Sequence, residues 1–151
     1  MDVFVSLIQN RVLLAATLGW FFAQMAKVAL EWLLHRRFSV ERLWGAGGMP
    51  SAHSAMVCAL TVSLARFDGV SSPVFALAVI FAFVTIYDAM GVRREAGEHA
   101  KLLNKYFNRP HDDENGDETE DVELKEFIGH TPLEVLGGVL LGILVGVLVP
   151  A

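Results

Sequence analysis

Four stretches of this chain are apolar enough, and nearly long enough, to cross a lipid bilayer as helices, at roughly residues 12–34, 51–66, 73–90 and 132–150. A spanning helix needs about 20 residues. The stretches lack the strict alternation of strands and are too long for them. The second is long enough only if the polar turn at its start lies within the membrane boundary. We therefore predict an all-α integral membrane bundle of about four transmembrane helices, forming one domain over 1–151.

The composition supports a membrane protein. Hydrophobic residues make up 54% of the chain, mean hydropathy is +0.46, and charged residues make up only 19%, against about 25% in soluble domains. A soluble bundle with buried helices is the alternative. Residues 3–8 predict a short surface helix, and the amphipathic stretch after residue 91 predicts an interfacial one. The first long stretch reads as a retained membrane helix rather than a cleaved signal. The lone Cys58 excludes an intrachain disulfide and is expected to be a packing residue.

The acidic charge is concentrated in one segment. Residues 111–126 hold nine of the 17 acidic groups and one Lys, whereas the rest of the chain has eight acidic and eleven basic residues. The net charge is therefore −5 with this segment and +3 without it. We predict a solvated, flexible loop over about 107–126. Its carboxylates lack the spacing of metal ligands, and we expect no metal and no nucleic-acid partner.

The basic residues predict an orientation. If all four stretches span, the connections 35–50 and 91–131 lie on one face, and the opposite face has only Arg11 and Arg66. Cytoplasmic loops are enriched in Lys and Arg, so we expect the basic face in the cytoplasm and both termini outside or in the periplasm. The basic face carries Arg36, Arg37, Arg42, Arg93, Arg94, Lys101, Lys105, Arg109 and Lys125.

Glycines at spacings of four mark the last apolar stretch, at Gly138, Gly142 and Gly146. Small residues at this spacing let membrane helices approach closely. Packing within the bundle accounts for the pattern, and a homodimer contact through this helix is possible.

Ionisable groups inside membrane segments are costly and point to function. The first long stretch carries Gln24, Lys27, Glu31 and His35 along one helical stripe. Two interpretations remain open: Lys27 and Glu31 neutralise each other, or Lys27 binds an anion.

Residues 47–55, GGMPSAHSA, predict a helix start at the membrane edge. Pro50 suits a first turn, and the free N–H groups near Ser51 could bind an anion, with His53 beside it. In GHTPLEV, His130 and Glu134 share a helical face, so the carboxylate can fix the ring tautomer and leave the other nitrogen free to attack. A zinc site would need a further His or Cys nearby.

The predicted topology places His53, the Arg93–Arg94 pair and the His130–Glu134 pair on one membrane face, although they come from three different connections. Adjacent arginines at a membrane boundary can also be plain interfacial anchors. Two histidines, a carboxylate, cations and a helix N-terminus together suit phosphate chemistry.

These motifs resemble the type-2 phosphatidic acid phosphatase superfamily. The closer resemblance is to its small divergent membrane branch, acid phosphatase/vanadium-dependent haloperoxidase-related proteins. That resemblance covers GGMPSAHSA, YDAMGVRREAG with KLLN, and GHTPLEV with its following glycines. It implies that His130 is the nucleophile, that Glu134 orients it, and that His53 is the general acid. Ser51 and the N–H of Ala52 would hold phosphate oxygens, and the other expected phosphate-binding residues are Lys27, Arg93 and Arg94.

The chain departs from the superfamily pattern in several places. No Arg-Pro pair follows Lys27 at the family spacing, and no Ser-Arg pair closely precedes His130. Ala52 stands where the family has Gly, and Glu134 stands where it has Asp. These differences bear on the arginine roles and on the strength of catalysis more than on the identity of the two histidines.

The resemblance implies a metal-independent membrane phosphatase without a cofactor, acting through a phosphohistidine on a lipid-linked monophosphate or diphosphate. Phosphatidate-like, phosphatidylglycerophosphate-like and prenyl diphosphate substrates are all allowed. The alternative is a non-catalytic membrane protein whose degenerate phosphate pocket binds anionic lipid or a partner. Nothing in the sequence argues for haloperoxidase activity. We expect a bacterial inner or plasma membrane, with the active site on the cytoplasmic face.

Overall fold

The structure is a computed structural model, and it describes residues 3–35, 48–107, 124 and 129–150. The acidic loop predicted over 107–126 lies outside the described residues except at its positions 107 and 124. Most of the 35–50 connection also lies outside them.

The described residues form helices, and the predicted all-α fold is confirmed. The four apolar stretches and the two shorter segments each become a helix, with ends close to those expected from hydropathy. In chain order the helices are α1 (Val3–Gln9), α2 (Arg11–His35), α3 (Ala52–Phe67), α4 (Pro73–Met90), α5 (Val92–Phe107) and α6 (Pro132–Leu148).

The helix starts follow from local side-chain chemistry. Ser51 is the N-cap of α3 and accepts from the amide of Ser54, while Ser72 caps α4 just before Pro73. Thr131 caps α6 and forms a capping box with Glu134, which lies three positions on. Each cap satisfies an amide that the first turn of a helix leaves unpaired.

Small side chains make the interior of the bundle. One buried cluster contains Ala15, Ala59, Val145 and Val149, and a second is made of alanines from α2 and α3. Large apolar side chains of α4 instead point outward, and Leu77 and Phe83 are each 69% exposed. Small residues inside and large ones outside are typical of helices packed in lipid. This distribution favours a membrane bundle over the soluble-bundle alternative.

The glycines of α6 lie directly against α3. A Cβ added at Gly138 would collide with the carbonyl of Ser51, and one at Gly142 with the carbonyl of Ala55. At Gly146 the added atom would lie 2.8 Å from the Cβ of Val62. The glycine pattern thus serves packing within one chain, with α3 and α6 parallel. The homodimer contact stays a prediction.

Hydrogen bonds hold both ends of this parallel helix pair. At the start, the amide of Ser51 donates to the carbonyl of Glu134 over 2.9 Å. At the end, the Arg66 guanidinium donates to the carbonyls of Gly146 and Val149, each over 2.8 Å. These carbonyls belong to the last turn of α6, where a cation also opposes the negative end of the helix dipole.

Among the described residues, two helical stretches are long and apolar enough to cross a membrane: Arg11–Leu33 within α2, and Pro73–Tyr106, which covers α4 and most of α5. Helices α3 and α6 are apolar but have 16 and 17 residues, shorter than the usual span of about 20. The number of transmembrane crossings therefore stays a prediction.

Candidate functional site

A small pocket opens where the start of α3, the end of α4 and the residues just before α6 meet. Its lining joins the two histidines and Arg93 with three residues that sequence reasoning did not select. The lining residues are His53, Thr85, Ala89, Arg93, Gly129 and His130.

Backbone contacts set the position of His130. Its amide donates to the carbonyl of Ala89 over 3.0 Å, which ties the residue to the end of α4. The preceding Gly129 has a φ of +101°, a conformation that favours glycine. A Cβ there would lie 2.5 Å from the amide nitrogen of Arg94. Only a residue without a side chain lets this segment lie so close to the start of α5.

The His130 ring is oriented by a carboxylate. Its Nδ1 lies 3.0 Å from Oε2 of Glu134, and the His130 side chain is only 3% exposed. Because an ionised carboxylate can only accept, Nδ1 carries the proton and Nε2 keeps its lone pair. This is the tautomer that a nucleophilic histidine needs.

The same carboxylate oxygen of Glu134 also takes part in the N-terminal cap of α6. Its Oε2 also accepts from the amide of Thr131 over 3.2 Å, and Thr131 Oγ1 accepts from the amide of Glu134 over 3.4 Å. Glutamate is the acid that closes a capping box from the third position of a helix. The Glu at this position therefore both caps α6 and holds His130.

His53 lies on the first turn of α3, facing His130 across the pocket. The ring centroids are 6.5 Å apart and the rings are tilted by 57°. Both imidazoles therefore line the same small pocket.

The two arginines are placed differently. Arg93 lines the pocket and its Nε donates to Oδ2 of Asp88 over 2.7 Å. Arg94 is exposed and does not line the pocket, although its backbone contacts Gly129. The structure thus brings Arg93 to the histidines and does not bring the Arg94 side chain there.

Lys27 is buried within α2, only 8% exposed, and its charge acts on His130. Burial of the ring lowers the pKa of His130 from its ordinary value. The hydrogen bond and charge of Glu134 raise that pKa in part, while Lys27 and Arg93 lower it further. The lowered pKa favours the neutral imidazole of His130, the form with a free lone pair.

Ser51 and Ala52 are not among the residues that line the pocket. Ser51 is fully buried, its Oγ accepts from the hydroxyl of Ser54 over 3.0 Å, and its amide is bound to the Glu134 carbonyl. Ala52 is 2% exposed. A phosphate-binding role for these two residues stays a prediction, and the structure gives Ser51 a capping role instead.

Among the residues that the structure describes, no three His, Cys, Asp or Glu side chains come together as a group that could hold a metal ion.

Some site residues could have been found in the sequence. The TPLE segment is the signature of a capping box, so Thr131 could have been paired with Glu134 in advance. The glycine in GHTP signals an unusual backbone conformation. Thr85 and Ala89 had no such signal, because any residue on an apolar helix can face a pocket.

Comparison with known proteins gives the family. The model of the divergent PAP2 family matches residues 8–145, which include every side chain of the pocket. The chain belongs to the divergent PAP2 family. The resemblance expected from the motifs is thereby confirmed, and with it membership of the PAP2 superfamily.

A relative from Bacillus subtilis (strain 168) supports a membrane location. The chain is 40% identical over 148 residues to the uncharacterized membrane protein YuiD, across 93% of this chain and 94% of YuiD. This divergent PAP2 chain is therefore a membrane protein. No solved structure matches it.

Proposed function

We propose that this divergent PAP2 protein is a membrane phosphatase that hydrolyses a lipid-linked monophosphate or diphosphate through a phosphohistidine, without a metal ion. The observation that carries the proposal is the His130–Glu134 pair. Its Nδ1–Oε2 contact of 3.0 Å leaves Nε2 free beside the pocket, and His53 lies opposite.

The proposed chemistry has two steps. In the first, Nε2 of His130 attacks phosphorus, the bond from phosphorus to the leaving oxygen breaks, and His53 donates a proton to that oxygen. In the second, His53 takes a proton from a water molecule, whose oxygen attacks the phosphohistidine. The phosphorus–nitrogen bond then breaks, so that phosphate is released and both histidines return to their starting forms.

Cations around the pocket would stabilise the charge that builds up on the phosphoryl oxygens. Arg93 lies in the lining, and its ion pair with Asp88 is partly exposed, so its remaining guanidinium N–H groups can meet an anion. Buried Lys27 adds positive charge close to His130 and Glu134. In this proposal Arg93 takes the arginine role for which the sequence has no Ser-Arg pair, and Arg94 has only a backbone role.

A lipid-linked substrate suits the position of the pocket. The pocket lies at the ends of apolar helices. The outer surfaces of these helices carry large exposed side chains, including Leu77, Phe83 and Tyr87 on α4. A substrate can keep its tail in the lipid beside these residues while its phosphate enters the pocket. We place this site on the cytoplasmic face of a bacterial membrane, on the basis of the Lys and Arg bias.

The test is phosphate release by purified protein in the presence of EDTA. The panel would include phosphatidate, phosphatidylglycerophosphate and a prenyl diphosphate. We expect turnover of at least one of them, and inhibition by vanadate, which mimics the pentacoordinate phosphorus. If the protein binds these lipids but hydrolyses none, the non-catalytic pocket is the correct interpretation; the buried hydroxyl of Ser51 is the observation that favours it.

The pH profile tests the state of His130. Because burial lowers the pKa of His130, the rising limb of kcat/KM should have its midpoint below 6.5, the ordinary histidine value. The Glu134→Gln variant keeps the capping box but removes the charge that raises this pKa, so the midpoint should shift to lower pH. A midpoint that stays in place or moves upward in this variant would show that His130 does not produce the limb.

Cysteine labelling tests the orientation. In a Cys58→Ser background, Asp117→Cys places a thiol in the acidic segment, and Ser71→Cys places one on the α3–α4 connection at the other end. With a membrane-impermeant thiol reagent on intact cells, we expect labelling of the Ser71→Cys variant alone. Labelling of the Asp117→Cys variant alone would overturn the cytoplasmic assignment.

A further inference from the structure

Asn104 is a buried polar residue on a helix that is otherwise mostly exposed. Helix α5 buries Gly97, Ala100 and Asn104, and these positions share one face of the helix. The Asn104 residue is only 5% exposed. A buried amide side chain needs hydrogen-bond partners, and its partners show what the face contacts.

The Asn104 side chain binds the backbone of a residue that is distant in the sequence, Leu124. Its Nδ2 donates to the carbonyl of Leu124 over 2.8 Å, and its Oδ1 accepts from the amide of Leu124 over 2.9 Å. We call this pair of hydrogen bonds the Asn104 clamp. Because both bonds go to the backbone, the clamp does not depend on the side chain at position 124.

The same helix is contacted at its other end by the residue just before His130. Gly129 packs on the backbone of Arg94, and the amide of His130 is bound to Ala89. Arg94 and Asn104 are ten positions apart on α5, a rise of about 15 Å. Only five residue steps join Leu124 to Gly129, and five steps reach at most about 17 Å.

The rise along α5 and the limited reach of the chain from Leu124 to Gly129 connect the position of the Asn104 clamp to that of His130. If Leu124 moved away along α5 by one helical turn, about 5.4 Å, five residue steps would no longer reach Gly129 at its present position. A fixed Leu124 therefore restricts where Gly129 and His130 can lie.

We propose that Asn104 is a positioning residue that holds His130 in the pocket through the backbone of Leu124. Its catalytic consequence rests on the proposed phosphatase function, whereas its effect on the placement of His130 does not. The proposal also gives a role to the KLLN motif, whose asparagine is Asn104.

The test compares the chemical reactivity of two histidines in the same molecule. Diethylpyrocarbonate modifies accessible neutral imidazoles, and the exposed His99 on α5 serves as the internal reference. His130, at 4% exposure, should react slowly in the wild type. In Asn104→Leu, which loses both hydrogen bonds at similar side-chain size, we expect its rate relative to His99 to rise about tenfold.

Two further variants keep the test decisive. Leu124→Ala leaves the backbone partners intact, so the relative reactivity of His130 should stay at the wild-type level. Asn104→Asp keeps the acceptor but loses the donor, so the relative reactivity of His130 should rise to an intermediate level. This variant replaces Asn104→Leu in the test if Asn104→Leu does not fold. Unchanged reactivity in the folded Asn104 variants, or an equal rise in Leu124→Ala, would overturn the proposal.

Turnover provides a second readout where a substrate has been found. Displacement of the nucleophile should lower kcat about tenfold with KM nearly unchanged, since the pocket cations are untouched. If the wild type hydrolyses no substrate, the phosphatase proposal fails, and the diethylpyrocarbonate comparison still decides on Asn104.

Discussion

Replacing His130 by alanine should reduce phosphate release by about a thousandfold or more, toward the uncatalysed rate. The Nε2 of this ring is the proposed nucleophile, and His53, 6.5 Å away between ring centroids, lies on the other side of the pocket as the acid. The measurement is initial-rate phosphate release on the substrate identified in the panel. Rapid acid-free quenching and mass spectrometry should find a phosphoryl group on His130 in the wild type.

A matched control separates chemistry from folding. His99→Ala changes an exposed histidine on α5 that is outside the pocket lining, and it should keep wild-type turnover. Thermal unfolding of both variants in detergent checks that the bundle is intact. If folded His130→Ala retains turnover within about tenfold of the wild type, the covalent mechanism is wrong, because a nucleophile contributes far more than that.

Adding one methyl group at Gly142 should disrupt the packing of α6 against α3 and destabilise the protein. The new Cβ would collide with the carbonyl of Ala55 and lie 2.8 Å from the Cβ of Cys58. Backbone cannot move aside as a flexible side chain can, so we expect Gly142→Ala to lose about 3 kcal/mol of stability, at the upper end for overpacking. Its unfolding temperature should fall, and turnover should fall with it, because the two helices place His53 and Glu134.

Gly137→Ala is the control for this substitution on the same helix. Its nearest neighbour would be the flexible Cε of Met49, at 3.3 Å. An alanine is about 1 kcal/mol better than glycine within a helix, so this variant should be unchanged or slightly more stable. Equal destabilisation by the two variants would mean that helix α6 does not pack on α3 through Gly142.

The architecture was predictable because a bilayer sets the length that a spanning helix needs, and because successive spanning helices alternate in direction. Once the four stretches are counted as spanning, the starts of the second and fourth and the end of the third must share a face. This reasoning placed His53 and His130 at the same end of the bundle, and the structure brings them into one pocket. Motif spacing likewise predicted that His130 and Glu134 share a helical face.

Contacts between helices were not predictable from one sequence. A glycine spacing of four serves a contact within the chain as well as one between copies, and only the placement of α6 against α3 distinguishes them. The burial of Ser51 was missed for a similar reason. An N-cap serine can face solvent, an anion or a neighbouring helix, and here the start of α6 covers it.

The arginine assignment shows the same limit. Arg93 and Arg94 are adjacent in sequence and equally basic, yet about 100° of helical rotation separates their side chains. That rotation pairs Arg93 with Asp88 at the edge of the pocket. The position at which α5 begins after Gly91 determines whether Arg93 or Arg94 faces the histidines.

The hydrogen bonds at both ends of the α3–α6 pair have a consequence for the proposed catalysis. With Ser51 bound to Glu134 at one end and Arg66 bound to Gly146 at the other, the two helices cannot slide along each other. His53 on α3 and Glu134 on α6 therefore keep a constant spacing without any ligand. In the proposed phosphatase mechanism such a site is preorganised, so the barrier would include no cost of assembling His53 and Glu134 around each arriving phosphate.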